Sequence, residues 1–226
     1  MLDGGLATEL EAHGVDLDDP LWSARALIDA PEVVAAVHRD YLEAGADIIA
    51  TATYQATIPA VTARELLSGV TLACRERDAF WEQRERDDAR PRPLVAGSIG
   101  SYGAFLADGS EYRGDYGLDV DTLAAWHRPR LRLLETSGAD LLAFETIPSL
   151  VEAEAIVRLL AESAGPPAWL SFQARSAEHL ADGALVEAAA ALAERCPRIL
   201  AIGVNCVAPA VVAPLLSADG CVGALT

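Results

Sequence analysis

"SGADLLAFET" at 137–146 and "AGADIIATAT" at 44–53 are two versions of one ten-residue pattern: Gly-Ala-Asp, an apolar run, and a closing threonine. The glycine suits the C-terminus of a helix, and the aspartate suits a tight turn into the strand that follows. The pattern therefore reads as one helix–turn–strand unit used twice, which is expected of a repeating α/β architecture.

Working outward, further apolar runs occur at "LVAGSIG" (94–100), "AWLSFQA" (168–174) and "ILAIGVN" (199–205). With "DIIATAT" (47–53) and "LLAFETI" (141–147) they lack the alternation of a sheet with one wet face, so they read as fully buried parallel strands. Helical patterns lie between them at 30–46, 121–139 and 149–165. "LDGG" at the N-terminus reads as a short first strand, which brings the number of strand ends to six.

Both a (β/α)8 barrel and an open doubly wound sheet fit this alternation. "GSIGSYG" (97–103) has the wrong glycine spacing for a dinucleotide fingerprint and does not open directly into a helix, which favours the barrel. Two more strand–helix units would need roughly 60 residues at about 30 each. Only twenty follow Cys206. The expectation is a single α/β domain over 1–226, a TIM-type barrel that stops after its sixth strand–helix unit.

The chain has 226 residues, 52% of them hydrophobic, which is enough apolar material for one sizeable core. Its net charge of -17 disfavours a nucleic-acid partner, because phosphate binding needs clustered positive charge. No apolar run is long enough to span a bilayer, and the N-terminus has no signal-peptide pattern. Four irregularly spaced cysteines point to reduced thiols and a cytoplasmic setting. All 17 basic residues are arginine, and the absence of lysine excludes Schiff-base chemistry and a P-loop.

In a parallel barrel the active site gathers at the C-terminal ends of the strands. Those ends supply Asp3, Thr53 with Tyr54, Ser98 with Ser101, Glu145 with Thr146, Gln173, and Asn205 with Cys206. None is a histidine, which argues against a serine or cysteine hydrolase; His13, His38, His127 and His179 fall in helical or loop contexts. The two carboxylates would serve as a glycosidase pair or as acceptors for a substrate ammonium group. Purely structural roles also fit: Glu145 as a helix cap, Asp3 as a turn former at Gly4-Gly5, and Cys206 as core packing.

Taken together and in order, "LDGGLATEL", "YLEAGADIIATATYQAT", "GSIGSYGAFLADGSEYRGDY", "SGADLLAFETIPS", "SFQARSAEHLADG" and "AIGVNC" resemble the homocysteine S-methyltransferase family, most closely its S-methylmethionine-dependent members. The resemblance runs from residue 2 to about 216. It implies a TIM barrel that binds zinc through three cysteine thiolates, of which Cys206 is the first. It also implies that Asp3 and Glu145 hold the homocysteine amino group, that Tyr54 lies near the substrate, and that Asn205 stands beside the metal ligand. The reaction implied is methyl transfer from a sulfonium donor to the homocysteine sulfur.

The family places its other two zinc ligands in adjacent cysteines of a "GGCC" motif, and these 226 residues do not contain one. Cys221 comes only fifteen residues after Cys206 and has no cysteine neighbour; Cys74 and Cys196 fall in or just after helical stretches. The zinc site is thus expected to be incomplete in this chain. Open barrel edges would favour self-association. Two rival readings are an inactive homologue that only binds a small molecule or a partner, and a lysine-free lyase or hydrolase using Asp3 and Glu145 directly.

Overall fold

The computed structural model describes residues 1–217 apart from Pro20, Pro59 and residues 85–89; Cys221 lies outside the described residues. Helices α1 (Leu6–Ala12), α2 (Ser23–Asp29) and α3 (Pro31–Ala44) precede strand β1 (Ile48–Ala50). Then come α4 (Ala63–Glu82), β2 (Leu94–Gly100), α5 (Tyr102–Leu106), α6 (Val120–Glu135) and β3 (Leu141–Ile147). The chain continues with α7 (Leu150–Glu162), β4 (Ala168–Phe172), α8 (Val186–Ala193), β5 (Ile199–Val204) and α9 (Pro209–Ser217).

Strand order equals sequence order, β1-β2-β3-β4-β5. A barrel needs this sequential order, whereas a doubly wound sheet reverses direction at a switch point. The described residues fall into two compact units, one drawn from 1–99 with 133–142, the other from 100–132 with 143–217.

In the first unit β1 runs parallel to β2, with Ile48 opposite Leu94 and Ala50 opposite Ala96. The Gly-Ala-Asp pattern forms as read. Gly45, at φ 108°, ends α3 in the left-handed region, and the Ala46 N–H returns to the Tyr41 carbonyl at 2.9 Å. In the second copy the Asp140 carboxylate accepts the Val95 N–H at 2.8 Å and the Arg77 guanidinium at 2.6 Å, tying the turn to its neighbouring strand. α4 starts with a capping box, Thr62 and Glu65 each receiving the other's backbone N–H. Leu10, Leu42, Ile49, Leu66 and Ile99 are fully buried in this unit, each contributing about 1.5–3 kcal/mol.

Two expectations for this unit are corrected. "LDGG" makes one bridge, Leu2 to Ile48, rather than a strand. The Asp3 carboxylate takes the Ala50 N–H at 2.7 Å, occupying the donor that the next rung of a ladder would use. β1 likewise stops at Ala50 instead of running to Thr53. The Thr51 hydroxyl accepts the Ser98 N–H at 3.0 Å and Thr53 donates to the Ser98 carbonyl at 2.7 Å, so side chains replace the ladder there.

In the second unit β4 runs parallel to β5, with Phe172 opposite Val204 and a register shift between Ala168 and Trp169. Phe144 and Phe172 are fully buried. β2, β3 and β4 match the expected burial, but β5 does not: its residues are partly exposed, and Leu200 is 47% exposed. Among the described residues β5 pairs with β4 alone, and an edge strand keeps one flank open. No helix among the described residues is long and apolar enough to cross a membrane.

Candidate functional site

The turn after β5 places Asn205 and Cys206 against the end of β3. The Asn205 side chain accepts the Thr146 N–H at 2.9 Å and donates to the Thr146 hydroxyl at 2.9 Å. Thr146 in turn donates toward the Cys206 sulfur at 3.5 Å, with the Asn205 amide 3.7 Å from the same sulfur. Thr146 and Cys206 both adopt left-handed backbone conformations, at φ 57° and 54°. Such angles are rare for a β-branched residue and persist where surrounding contacts over-determine them. The paired Asn205–Thr146 contacts supply that constraint.

Cys206 is an exposed residue with a free thiol. Shielding of the sulfur by its surroundings pushes the thiol up from its ordinary range; the Thr146 hydroxyl opposes this, and the Glu145 and Glu111 carboxylates push in the same upward direction. The sulfur is therefore protonated at neutral pH unless a cation joins it. The negative charge of these carboxylates favours a positively charged ligand.

In the first unit, Asp3 sits at the end of β1, its N–H bonded to the Ile48 carbonyl and its carboxylate to Ala50. The approach of Tyr41 explains Gly4: a Cβ there would lie 2.8 Å from the Tyr41 hydroxyl, which donates to the Gly5 carbonyl. Tyr54 follows the threonine pair and packs edge-on against Trp22 at 6.1 Å.

Several residues selected at the strand ends have structural work. Thr53 and Ser98 share the contacts that end β1, and buried Ser101 caps α5 by accepting the Ala104 N–H at 3.3 Å. Gln173 is buried, and its Oε1 has no partner among the described residues. The histidines lie elsewhere, as expected: His38 is buried on α3, His127 bonds Glu152, His13 pairs with Asp40, and His179 bonds Ser176.

Sequence reasoning missed Glu111, Tyr112 and Glu152. The first two lie in the quoted stretch "GSEY" but on no strand end. Glu152 follows Ser149 by three residues and reads as half of a capping box. Ser149 does cap the Glu152 N–H at 3.2 Å, yet the Glu152 carboxylate turns away to Tyr102, Tyr116 and His127.

Among the described residues no group of three or more histidine, cysteine, aspartate or glutamate side chains comes together to hold a metal ion. Cys206 is one thiol with an amide and a hydroxyl beside it, which is short of a three-thiolate cage.

A family profile described as homocysteine S-methyltransferase matches residues 1–221. The homocysteine S-methyltransferase YbgG of Bacillus subtilis (strain 168) is 47% identical over 215 residues, covering 91% of this chain and 68% of that protein. The selenocysteine Se-methyltransferase of Brassica oleracea var. italica is 46% identical over 226 residues, covering 92% of this chain and 65% of that protein. The chain thus spans about two thirds of the length of these relatives. The solved structure of the homocysteine methyltransferase MmuM from Escherichia coli, in its metallated form, superposes with a TM-score of 0.88 at 43% identity, covering 95% of this chain and 77% of that one.

Proposed function

The chain belongs to the homocysteine S-methyltransferase family, and on that premise we propose that it binds homocysteine for methyl transfer from a sulfonium donor such as S-methylmethionine, giving methionine. The observation that carries the reading is the Thr146–Asn205–Cys206 arrangement, in which Asn205 bonds Thr146 twice and Thr146 and Cys206 adopt left-handed backbone. Strain of this kind gathers at binding and catalytic sites.

In this reading Asp3 and Glu145 receive the homocysteine ammonium group, and Tyr54 borders the substrate. Asn205 fixes the Thr146 and Cys206 backbone. In the transfer a carbon–sulfur bond forms at homocysteine while the donor's methyl–sulfur bond breaks. The bonding pair stays with the donor sulfur, which leaves as a neutral thioether, and the homocysteine thiol gives up one proton.

Zinc, when bound in the family's manner, lowers the pKa of the thiol it coordinates. The described residues offer it Cys206 only, so no step is written through the metal. Homocysteine binding belongs to the chain itself, and transfer requires two further thiolates. A second reading is a homologue that binds a small molecule or a partner without turning over. We place both readings in a cytoplasmic setting, with self-association through the β5 edge.

Calorimetric titration tests the proposal. Homocysteine should bind more tightly than N-acetylhomocysteine, which lacks the ammonium group that Asp3 and Glu145 receive. Equal or absent binding of the two would overturn it.

A further inference from the structure

One carboxylate holds both ends of a loop. Fully buried Glu152 accepts the Tyr102 N–H at 2.6 Å and the Tyr116 hydroxyl, and bonds buried His127 at 2.8 Å. Tyr102 and Tyr116 bound the segment 102–116, so a single side chain on α7 pins its entry and its exit. Rings reinforce the pin: Tyr102 packs on Tyr116 at 5.3 Å and on Trp126 at 5.1 Å.

The segment is also closed on itself. A Cβ on Gly103 would lie 2.4 Å from the Glu111 backbone nitrogen and 2.6 Å from the Ser110 carbonyl carbon, so only glycine admits this approach. The Glu111 backbone is therefore fixed from two sides.

What the loop presents is unusual. The Glu111 Oε2 atom is buried and has no hydrogen-bond partner among the described residues. A buried acceptor left unpaired is costly, and a carboxylate more so. Beside it Tyr112 is 52% exposed, so its ring is open to a ligand. The segment follows the C-terminal end of β2, and its Gly114 lies against the turn after β3, where a Cβ would come within 3.0 Å of the Pro148 carbonyl oxygen. A carboxylate and an aromatic face side by side at this end of the strands are the groups that recognise an organic cation.

We propose that Glu111, presented by the loop that Glu152 pins, is the residue that recognises the positive charge of the methyl donor, with the Tyr112 ring as second contact. This rests on the homocysteine-binding reading above and adds the donor's subsite to it. The selected ligand class is a sulfonium or quaternary ammonium compound. A neutral thioether, the product left after transfer, lacks the charge and is released.

The test is calorimetric titration of S-methylmethionine and of methionine into the wild-type chain, Glu111→Gln and Tyr112→Leu. The two ligands carry the same amino-acid end and differ in the sulfonium charge. Wild type should prefer S-methylmethionine by roughly tenfold or more, the range of a charge-assisted contact. Glu111→Gln should bind the two equally, and Tyr112→Leu should lose part of the preference, while homocysteine affinity stays unchanged in both. If homocysteine binds normally and Glu111→Gln, or Tyr112→Leu should the first variant not fold, keeps the full preference, the subsite is overturned and the homocysteine reading stands. If wild type does not bind homocysteine, that reading falls and the subsite with it.

Discussion

The Asn205 side-chain amide bonds Thr146 twice, accepting its backbone N–H and donating to its hydroxyl, each at 2.9 Å. This two-point contact holds together the two residues that carry left-handed backbone at the ends of β3 and β5. Replacing Asn205 by alanine removes both bonds and leaves a strained Thr146 without its support. The expected cost is about 1–3 kcal/mol of stability, read from denaturant unfolding. Site-resolved alkylation of Cys206 should also speed up, since the amide and hydroxyl that approach its sulfur lose their anchor. Unchanged stability would remove the constraint argument.

Glu145→Gln should weaken homocysteine binding and leave the melting curve in place. A charge-assisted contact is worth roughly 1.5–3 kcal/mol, so the loss should be about tenfold or greater. Equal affinity in wild type and variant would discard its role toward the ammonium group.

His38 makes the acid limb of stability predictable. It is completely buried on α3, neither ring nitrogen has a partner among the described residues, and burial pushes it down to about 4. The unfolded chain protonates this ring near 6.5 and the native chain does not, so unfolding takes up a proton and stability falls as pH drops from about 6.5 toward 4. Below the folded value the contribution is fully lost, roughly 3 kcal/mol in all. His38→Leu should be at least as stable at pH 7 and should lose this part of the acid sensitivity in urea unfolding at pH 7 and pH 5. An identical pH dependence in the variant would refute the assignment.

How far the sequence disclosed this molecule depended on the range of the interactions involved. Gly45 and Asp140 were legible because a helix end and a strand entry are settled by neighbours a few residues away. The place of Asn205 and Cys206 directly after β5 was legible because the apolar run 199–204 ends there. The limits of β1 were not, since Asp3 and Thr51 substitute side chains for ladder bonds 47 residues distant in sequence. Glu152 was hidden for the same reason: its capping position is local, while its partner Tyr102 lies 50 residues back. β5 reads as buried from its apolar run, and its exposure comes from having one paired flank among the described residues.

That flank gives a solution prediction. Leu200 is exposed and the rest of β5 is half-buried, so backbone and apolar groups are offered to another chain. Light scattering on the 226-residue protein should show concentration-dependent self-association, and Leu200→Lys should reduce it. A wild-type monomer at all concentrations would contradict the open edge.

In the proposed reading Cys206 is one thiolate of a metal site whose other ligands are not among the described residues. Zinc content per chain, measured after dialysis against a mild chelator and paired with an assay of methionine formation from homocysteine and S-methylmethionine, tests this directly. Well below one zinc per chain and no transfer are expected for the 226 residues alone. Supplying a segment with adjacent "GGCC" cysteines should restore both, and Cys206→Ser should abolish both again. One tightly held zinc with turnover in the 226-residue protein would contradict it.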